Sequence, residues 1–201
     1  FGRRNVSPTT HPHHMRIDPV IFRQYDIRGV VGQDLTTDVA RAVGRAVGAE
    51  ARERLGRVPR LAVGRDNRPS GPDLLDALTD GLVSTGAEVV SVGLVPTPAL
   101  YFAIHHLRAD GGVQVTGSHN PPEFNGLKMV LAGLPVAGED IQGLRRRIEA
   151  DRFVTGNGRL GRQAVLQDYR DEVLHRIGPL DRPVKVVVDC GNGTGSVVAP
   201  A

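Results

Sequence analysis

The sequence holds one cysteine, Cys190, no tryptophan and only 4% aromatic residues in a chain of 201. A single cysteine excludes an internal disulfide framework and fits a reducing compartment, so a cytoplasmic setting is expected. Scarce aromatics leave few platforms on which bases could stack. The basic residues are interleaved with acids, so no nucleic-acid partner is expected. No run of eighteen apolar residues occurs, and no membrane partner is expected either. The opening stretch, "FGRRNVSPTTHPHHMRIDPV", has arginines but lacks the apolar segment of a secretory signal. Residues 1–15 are read as a disordered leader, with Met15 nearer the natural start. His11, His13 and His14 fall in that leader rather than in a metal site. No paired Cys or His spacing suggests zinc.

What is present is ordinary for a soluble globular chain: 40% hydrophobic, 23% charged, and 25 basic against 22 acidic residues for a formal charge of +3. The length suffices for one full domain and part of another. Helical and strand patterns alternate. "TTDVARAVGRAVGAEARERLG" has small apolar residues at helical spacing, with Thr36 or Thr37 to cap it and Gly56 to end it. "RLAVG" is a strand. "SGPDLLDALTDGLVSTG" is a helix with Ser70 as candidate N-cap, Pro72 in the first turn and Gly86 closing it. "AEVVSVG" is a strand and "TPALYFAIHHL" a helix capped by Thr97. "GVQVT" and "GLKMV" are strands, and "EDIQGLRRRIEA" is an amphipathic helix. Such a series predicts an α/β fold, a mostly parallel mixed sheet sandwiched by helices. Its reactive loops gather beyond the carboxyl ends of the strands.

A Gly-rich, polar stretch, "DRFVTGNGRLG", predicts a break near residues 151–161, followed by the helix "QDYRDEVLHRIG". "VKVVVDCGNGTGSVVAP" predicts a buried strand entering a Gly-rich turn. The expected organisation is one domain over residues 16–160, a bridging segment over 161–183, and the first strand of a second, similar α/β domain over 184–201.

Four loops carry candidate chemistry. "QVTGSHNPPEFNGLKMV" sets Ser118 beside His119 on a loop stiffened by Pro121 and Pro122, with Lys128 entering the next strand. A serine hydroxyl needs a neighbouring base or charged partner to act, and Asn120 can bond its own backbone to fix the turn. A polar surface loop with an incidental serine explains the same local features. "FRQYDIRGVVG" offers Tyr25 and Arg28 as phosphate-binding groups, the planar arginine fork being suited to a phosphate. The alternative is an Asp26 ion pair with Arg23 or Arg28. In "VGRDNRPSG" Arg65, Asp66 and Arg68 sit at a strand end, and a buried Asp–Arg pair that shapes the turn is favoured over direct catalysis. "DCGNGTGS" invites a dinucleotide reading, and hence an NAD(P)-binding oxidoreductase, but Ser196 stands where the fingerprint needs its last glycine.

"IFRQYDIRGVVG", "VGRDNRPSGP", "GLVPTPALYFA", "VTGSHNPPEFNGLK" and "VVVDCGNGTG", in this order and spacing, together resemble the α-D-phosphohexomutase family, its bacterial phosphomannomutase/phosphoglucomutase members above all. The resemblance covers nearly everything after residue 20. It implies an isomerase that interconverts hexose 1-phosphate and hexose 6-phosphate, of mannose, glucose or both, through a bisphosphorylated sugar. It makes Ser118 the phosphoryl carrier, with His119, Lys128 and Arg28 as catalytic groups around it and Tyr25, Arg28 and Lys128 as phosphate ligands. It implies Mg²⁺, bound by Ser118 through its phosphate and by aspartates expected beyond Ala201, and an activator of the glucose 1,6-bisphosphate type. The expected partners are hexose phosphates and downstream domains of the same protein. With those domains absent, residues 1–201 alone are expected to be inactive as a mutase. A non-catalytic phosphosugar-binding fragment is the alternative.

Overall fold

The computed structural model describes residues 17–200; the expected leader, with its three histidines and Met15, lies outside them. The strands are β1 (Ile27–Val30), β2 (Arg60–Arg65), β3 (Glu88–Leu94), β4 (Gly111–Val115), β5 (Phe124–Leu131), β6 (Leu134–Pro135) and β7 (Arg159–Arg162). They form one sheet in the order β1-β5-β4-β2-β3-β7, with β6 paired to β5. The helices are α1 (Thr37–Leu55), α2 (Gly71–Ser84), α3 (Thr97–His106), α4 (Glu139–Glu149) and α5 (Leu166–Ile177). No described helix is long and apolar enough to cross a membrane.

The parallel character is confined to one half of the sheet. β4, β2, β3 and β7 run parallel, whereas β5 is antiparallel to both β4 and β1. The reason is connection length. Each parallel step from β2 to β3 and from β3 to β4 is bridged by a helix, but only residues 116–123 link β4 to β5, too few for a crossover.

The central strands are buried on both faces and alternate between two cores. Leu61, Val63, Val89, Val113, Val115, Leu127 and Met129 join α1, α2 and α4 in the larger core. Ala62, Val90 and Val92 join α3 in the smaller one, which Val165 and Tyr169 of the α5 region close. That period of two is the pleat made visible in sequence. α5 docks on α3 through Tyr169 edge-on to Phe102, with centroids 5.6 Å apart, and through Asp168 3.3 Å from His106.

α1 and α2 approach until backbones touch. A Cβ added at Gly44 would sit 2.2 Å from the Leu78 carbonyl oxygen, one at Gly81 2.1 Å from that of Arg41, and one at Gly48 2.3 Å from Thr85 Oγ1. The small residues of the α1 sequence therefore serve interhelical approach as well as burial. Thr36 caps α1, its Oγ1 accepting from the Val39 N–H at 3.2 Å, and Gly56 ends it at φ +65°.

Several local expectations need correction. Ser70 occupies the N-cap position of α2 but makes no capping hydrogen bond; its Oγ instead accepts from Asn125 Nδ2 at 2.9 Å. Pro96, not Thr97, precedes α3, and Thr97 is its first residue. The stretch 151–161 is not a break in the fold. Gly156 bridges to Thr85, and β7 extends the sheet beyond β3 across the expected boundary at residue 160. Glycines at 156 and 158 let the chain pass the end of α2, where added Cβ atoms would meet Gly86 Cα at 2.9 Å and the Ala87 carbonyl at 2.2 Å. Residues 184–189, expected as a buried strand, pair with no strand among the described residues. Val187 is 90% exposed, because nothing in the described chain covers it.

At the edge opposite the strand ends that carry the reactive loops, Asp110 clasps two connections. Its carboxylate accepts from Arg57 Nη1 at 2.9 Å and Nη2 at 2.5 Å, and from the Arg60 backbone N–H at 2.9 Å. The Arg57 hydrogen bonds hold this carboxyl below its ordinary pKa, against the upward push of burial and with help from the Arg60 N–H.

Two predictions follow from this packing. Gly44→Ala gains up to about 1 kcal/mol of helix propensity but drives backbone from backbone, and overpacking costs about 1–3 kcal/mol. The urea midpoint should fall, whereas Gly143→Ala in α4, whose added Cβ meets nothing nearer than 3.9 Å, should raise it. Shifts of the same sign would refute this account of the helix contact. For Asp110, a folded pKa below the unfolded value makes its contribution complete above about pH 4 and progressively lost as pH falls through the folded value. Asp110→Asn should cost about 1 kcal/mol near neutrality and flatten the acid limb of stability against pH; an unchanged acid limb in urea melts would count against the clasp.

Candidate active site

β2, β3 and β4 end on one side of the sheet, and their following loops are tied together. The Asp66 N–H donates to the Val115 carbonyl at 2.9 Å, and the Val95 N–H to that of Arg65 at 3.0 Å. Gln114, fully buried on β4, donates from Nε2 to the Val95 carbonyl at 2.8 Å. The serine loop thus leaves a platform fixed on its flank.

Inside the loop sits Arg68. Its Nη1 donates to the carbonyls of Pro121 at 2.6 Å and Phe124 at 2.9 Å, and its Nη2 to those of Ser118 at 3.1 Å and Asn120 at 2.5 Å. Asp66 holds the other side, 3.4 Å from Arg68 Nε. Its Oδ1 accepts from the Arg68 N–H, and its Oδ2 from Thr116 Oγ1 at 2.8 Å and the Gly117 N–H at 3.2 Å. Gly117 leaves room for this arrangement, since a Cβ there would lie 2.3 Å from Arg68 Cζ. Asn120 bonds its own loop, with N–H and Nδ2 both reaching the Gly117 carbonyl.

Ser118 rides on this frame with φ +55°, a left-handed backbone uncommon outside glycine. Its N–H donates to Thr116 Oγ1 at 2.9 Å. The side chain is exposed, and Oγ lies 3.3 Å from His119 Nδ1. Both residues face a cleft of about 720 Å³, walled also by Pro96–Pro98 and by the turn Gly191–Thr194. Asn67 tethers that turn, donating from Nδ2 to the Asn192 carbonyl at 2.7 Å and accepting from Thr194 Oγ1 at 3.1 Å.

The other expected site residues lie outside this cleft's lining. Arg28 on β1 is paired across the sheet with Gly126, and Lys128 on β5 with Gln114. By the pleat, both share the face that carries Gln114. Lys128 is half-buried and has no ion-pair partner among the described residues. Arg28 is buried and paired with Asp26, with its Nε left without a partner; the ion-pair alternative therefore describes part of its environment. Tyr25 stands 73% exposed in the turn before β1. Gly126 lies within β5, where an added Cβ would meet the Ile27 carbonyl at 2.6 Å.

The glycine-rich turn at 191–195 does not form a strand–turn–helix unit. No strand precedes it, and only a short 3-10 turn, Thr194–Val197, follows. That removes the structural basis of the dinucleotide reading. Among the described residues, no group of three or more His, Cys, Asp or Glu could hold a metal ion. Asp66, the carboxylate beside the serine loop, is already engaged at both oxygens. These residues alone do not make a magnesium site.

What the sequence reading missed is the reach of Arg68 and the role of Asn125, which is buried between Ser70 Oγ and its own neighbour's N–H. A signal was present for the first: an Asp-x-Arg at a strand end.

The comparisons agree with this architecture. A solved structure of a phosphoglucomutase/phosphomannomutase family protein from Burkholderia thailandensis superposes with a TM-score of 0.86 at 46% identity, covering 92% of this chain and 42% of that one. The phosphomannomutase/phosphoglucomutase of Pseudomonas aeruginosa is 49% identical over 180 residues, 90% of this chain and 38% of that protein. A phosphoglucomutase of Neisseria gonorrhoeae is 44% identical over 181 residues, 89% of this chain and 39% of that protein. The chain therefore spans well under half the length of these relatives. The family model described as phosphoglucomutase/phosphomannomutase, alpha/beta/alpha domain I, matches residues 19–155, the span that holds the α/β sheet up to β6, its first four helices and the serine loop, and by this match the chain belongs to the phosphoglucomutase/phosphomannomutase family.

Proposed function

We propose that Ser118 is the phosphoryl carrier of a hexose-phosphate mutase, working in a polypeptide of the length its relatives have. The observation that carries this reading is the loop itself: a serine in a left-handed backbone, exposed, with a histidine nitrogen 3.3 Å from its hydroxyl, on a frame fixed by a half-buried arginine. A polar surface loop with an incidental serine has no need of that frame.

The cycle balances in two transfers. A hydroxyl of a hexose monophosphate attacks the phosphorus on Ser118. The O–P bond to the sugar forms, the bond to Oγ breaks, and the proton of the sugar hydroxyl passes to the serine side. The bisphosphorylated sugar reorients. Ser118 Oγ then attacks the other phosphate, its proton goes to the departing sugar oxygen, and the isomeric monophosphate leaves. His119 Nδ1, in the tautomer that accepts, is placed to take or return the Oγ proton. Such transfers depend on charge neutralisation and in-line placement. Lys128 and Arg28, on one face of the sheet beside the loop, are the cations proposed for that work, and Tyr25 is proposed to contact substrate phosphate from its exposed turn. A magnesium ion held by the seryl phosphate needs ligands from outside the described residues, and no step here depends on it. The downstream partner domains proposed from sequence would cover the exposed valines at 184–188. A cytoplasmic setting remains part of this reading, with hexose phosphates as partners and a bisphosphate sugar as activator.

The test has two parts. This chain, incubated with glucose 1,6-bisphosphate, should gain the mass of one phosphate, located at Ser118 by peptide fragmentation, while showing little or no isomerisation of glucose 1-phosphate. In a polypeptide of the relatives' length, Ser118→Ala should lower turnover by about a thousandfold or more. Binding of the bisphosphate with no transfer would instead favour a phosphosugar-binding module, and normal turnover in the alanine variant would end the phosphoserine reading.

A further inference from the structure

We infer that Arg68 is a positioning residue for phosphoryl transfer: it holds Ser118 in its left-handed backbone and turns the positive side of the loop toward a phosphate on Oγ. This rests on the reading of Ser118 as phosphoryl carrier.

The geometry assigns Arg68 more than turn shaping. Its two terminal nitrogens reach four carbonyl oxygens, of Ser118, Asn120, Pro121 and Phe124, so these peptide oxygens converge on one guanidinium. A peptide whose oxygen points in presents its N–H end elsewhere. The His119 N–H, on the peptide whose carbonyl is that of Ser118, has no acceptor among the described residues. Without the guanidinium, converging carbonyls would repel one another and would present negative ends where a dianion must sit. Lysine could not replace it, because an ammonium has three donors in a tetrahedral array and no planar fork.

The Asp66–Arg68 pair is neutral as a whole, but it is oriented. The carboxylate spends its oxygens on Thr116, Gly117 and the Arg68 N–H, at the root of the loop. The guanidinium end reaches Ser118 and Asn120, at the tip. The positive end of the pair therefore lies under the nucleophile. The Arg68 side chain is 13% exposed and that of Asp66 10%, so water screens the pair less than it would a surface pair. The left-handed conformation at Ser118 is costly for a residue with a Cβ. The 3.1 Å bond from Arg68 to the Ser118 carbonyl and the 2.9 Å bond from the Ser118 N–H to Thr116 Oγ1 fix the peptides on both sides of it.

A guanidinium that only stabilised the fold would, when replaced, lower the melting temperature without altering how a phosphate on Ser118 titrates. The experiment installs phosphoserine at position 118 during translation of this chain and follows its second ionisation by phosphorus NMR. The same chain in urea is the unfolded reference. The folded phosphoserine should titrate below that reference by about half to one pH unit, and Arg68→Gln, shown folded by circular dichroism, should abolish at least half of the difference. Where that variant does not fold, Gly117→Ala is read in its place: its added Cβ displaces the guanidinium and keeps the charge in the chain, and the difference should again shrink by about half. An undiminished difference in the folded variant, or no difference in the parent chain, overturns the assignment. Because the phosphate is supplied during translation, this result is independent of whether the serine is phosphorylated by sugars, which the bisphosphate incubation and Ser118→Ala decide.

Discussion

Arg68 inside the serine loop is the contact on which the rest of the site depends. A loop of eight residues between β4 and β5 carries more carbonyls than its own N–H groups can satisfy, and two prolines remove two donors. Buried or crowded peptide oxygens need donors. One planar side chain with five N–H groups meets that need from a single position, and Asp66 balances its charge. The same pair fixes Thr116 and Gly117, so the end of β4, the serine and the start of α2 become one hydrogen-bonded unit.

The sheet explains why that unit is in the right place. β2, β3 and β4 must be parallel because helices connect them, and their loops then share an edge. The reversal at β5 follows from the short link that is the serine loop itself. It brings Lys128 back beside Gln114 and sets Gly126 against β1, where only a glycine tolerates the Ile27 carbonyl. β1 can then lay Arg28 alongside. The nucleophile loop and the cationic strands are two consequences of one antiparallel turn within a mixed sheet.

Much of this was legible in the sequence, because it is carried by periodicity and punctuation. The caps Thr36 and Gly56, the apolar runs of β2 to β4, and the Pro-Pro loop with its Asn120 turn are local signals with local causes. The misses share a different cause. Ser70 had the chemistry of an N-cap, yet Asn125, 55 residues away, claims its hydroxyl. Residues 151–161 had the composition of a linker, yet their glycines make room for the chain to rejoin the sheet. In each case the deciding partner was distant in sequence.

The valines at 184–188 carry the same lesson in reverse. Their sequence is as strand-like as any in the chain, yet they are exposed and unpaired among the described residues. A strand is a relation between segments: backbone donors and acceptors need a neighbour, and β-branched side chains need a face to pack on. β7 makes the contrast plain. "RLGR" has a glycine and two arginines and little intrinsic preference for a strand, but it lies beside β3 in register, Leu160 against Val89, with Arg159 3.0 Å from Glu88. Where a partner edge is available a poor sequence becomes a strand, and where none is available a good one does not.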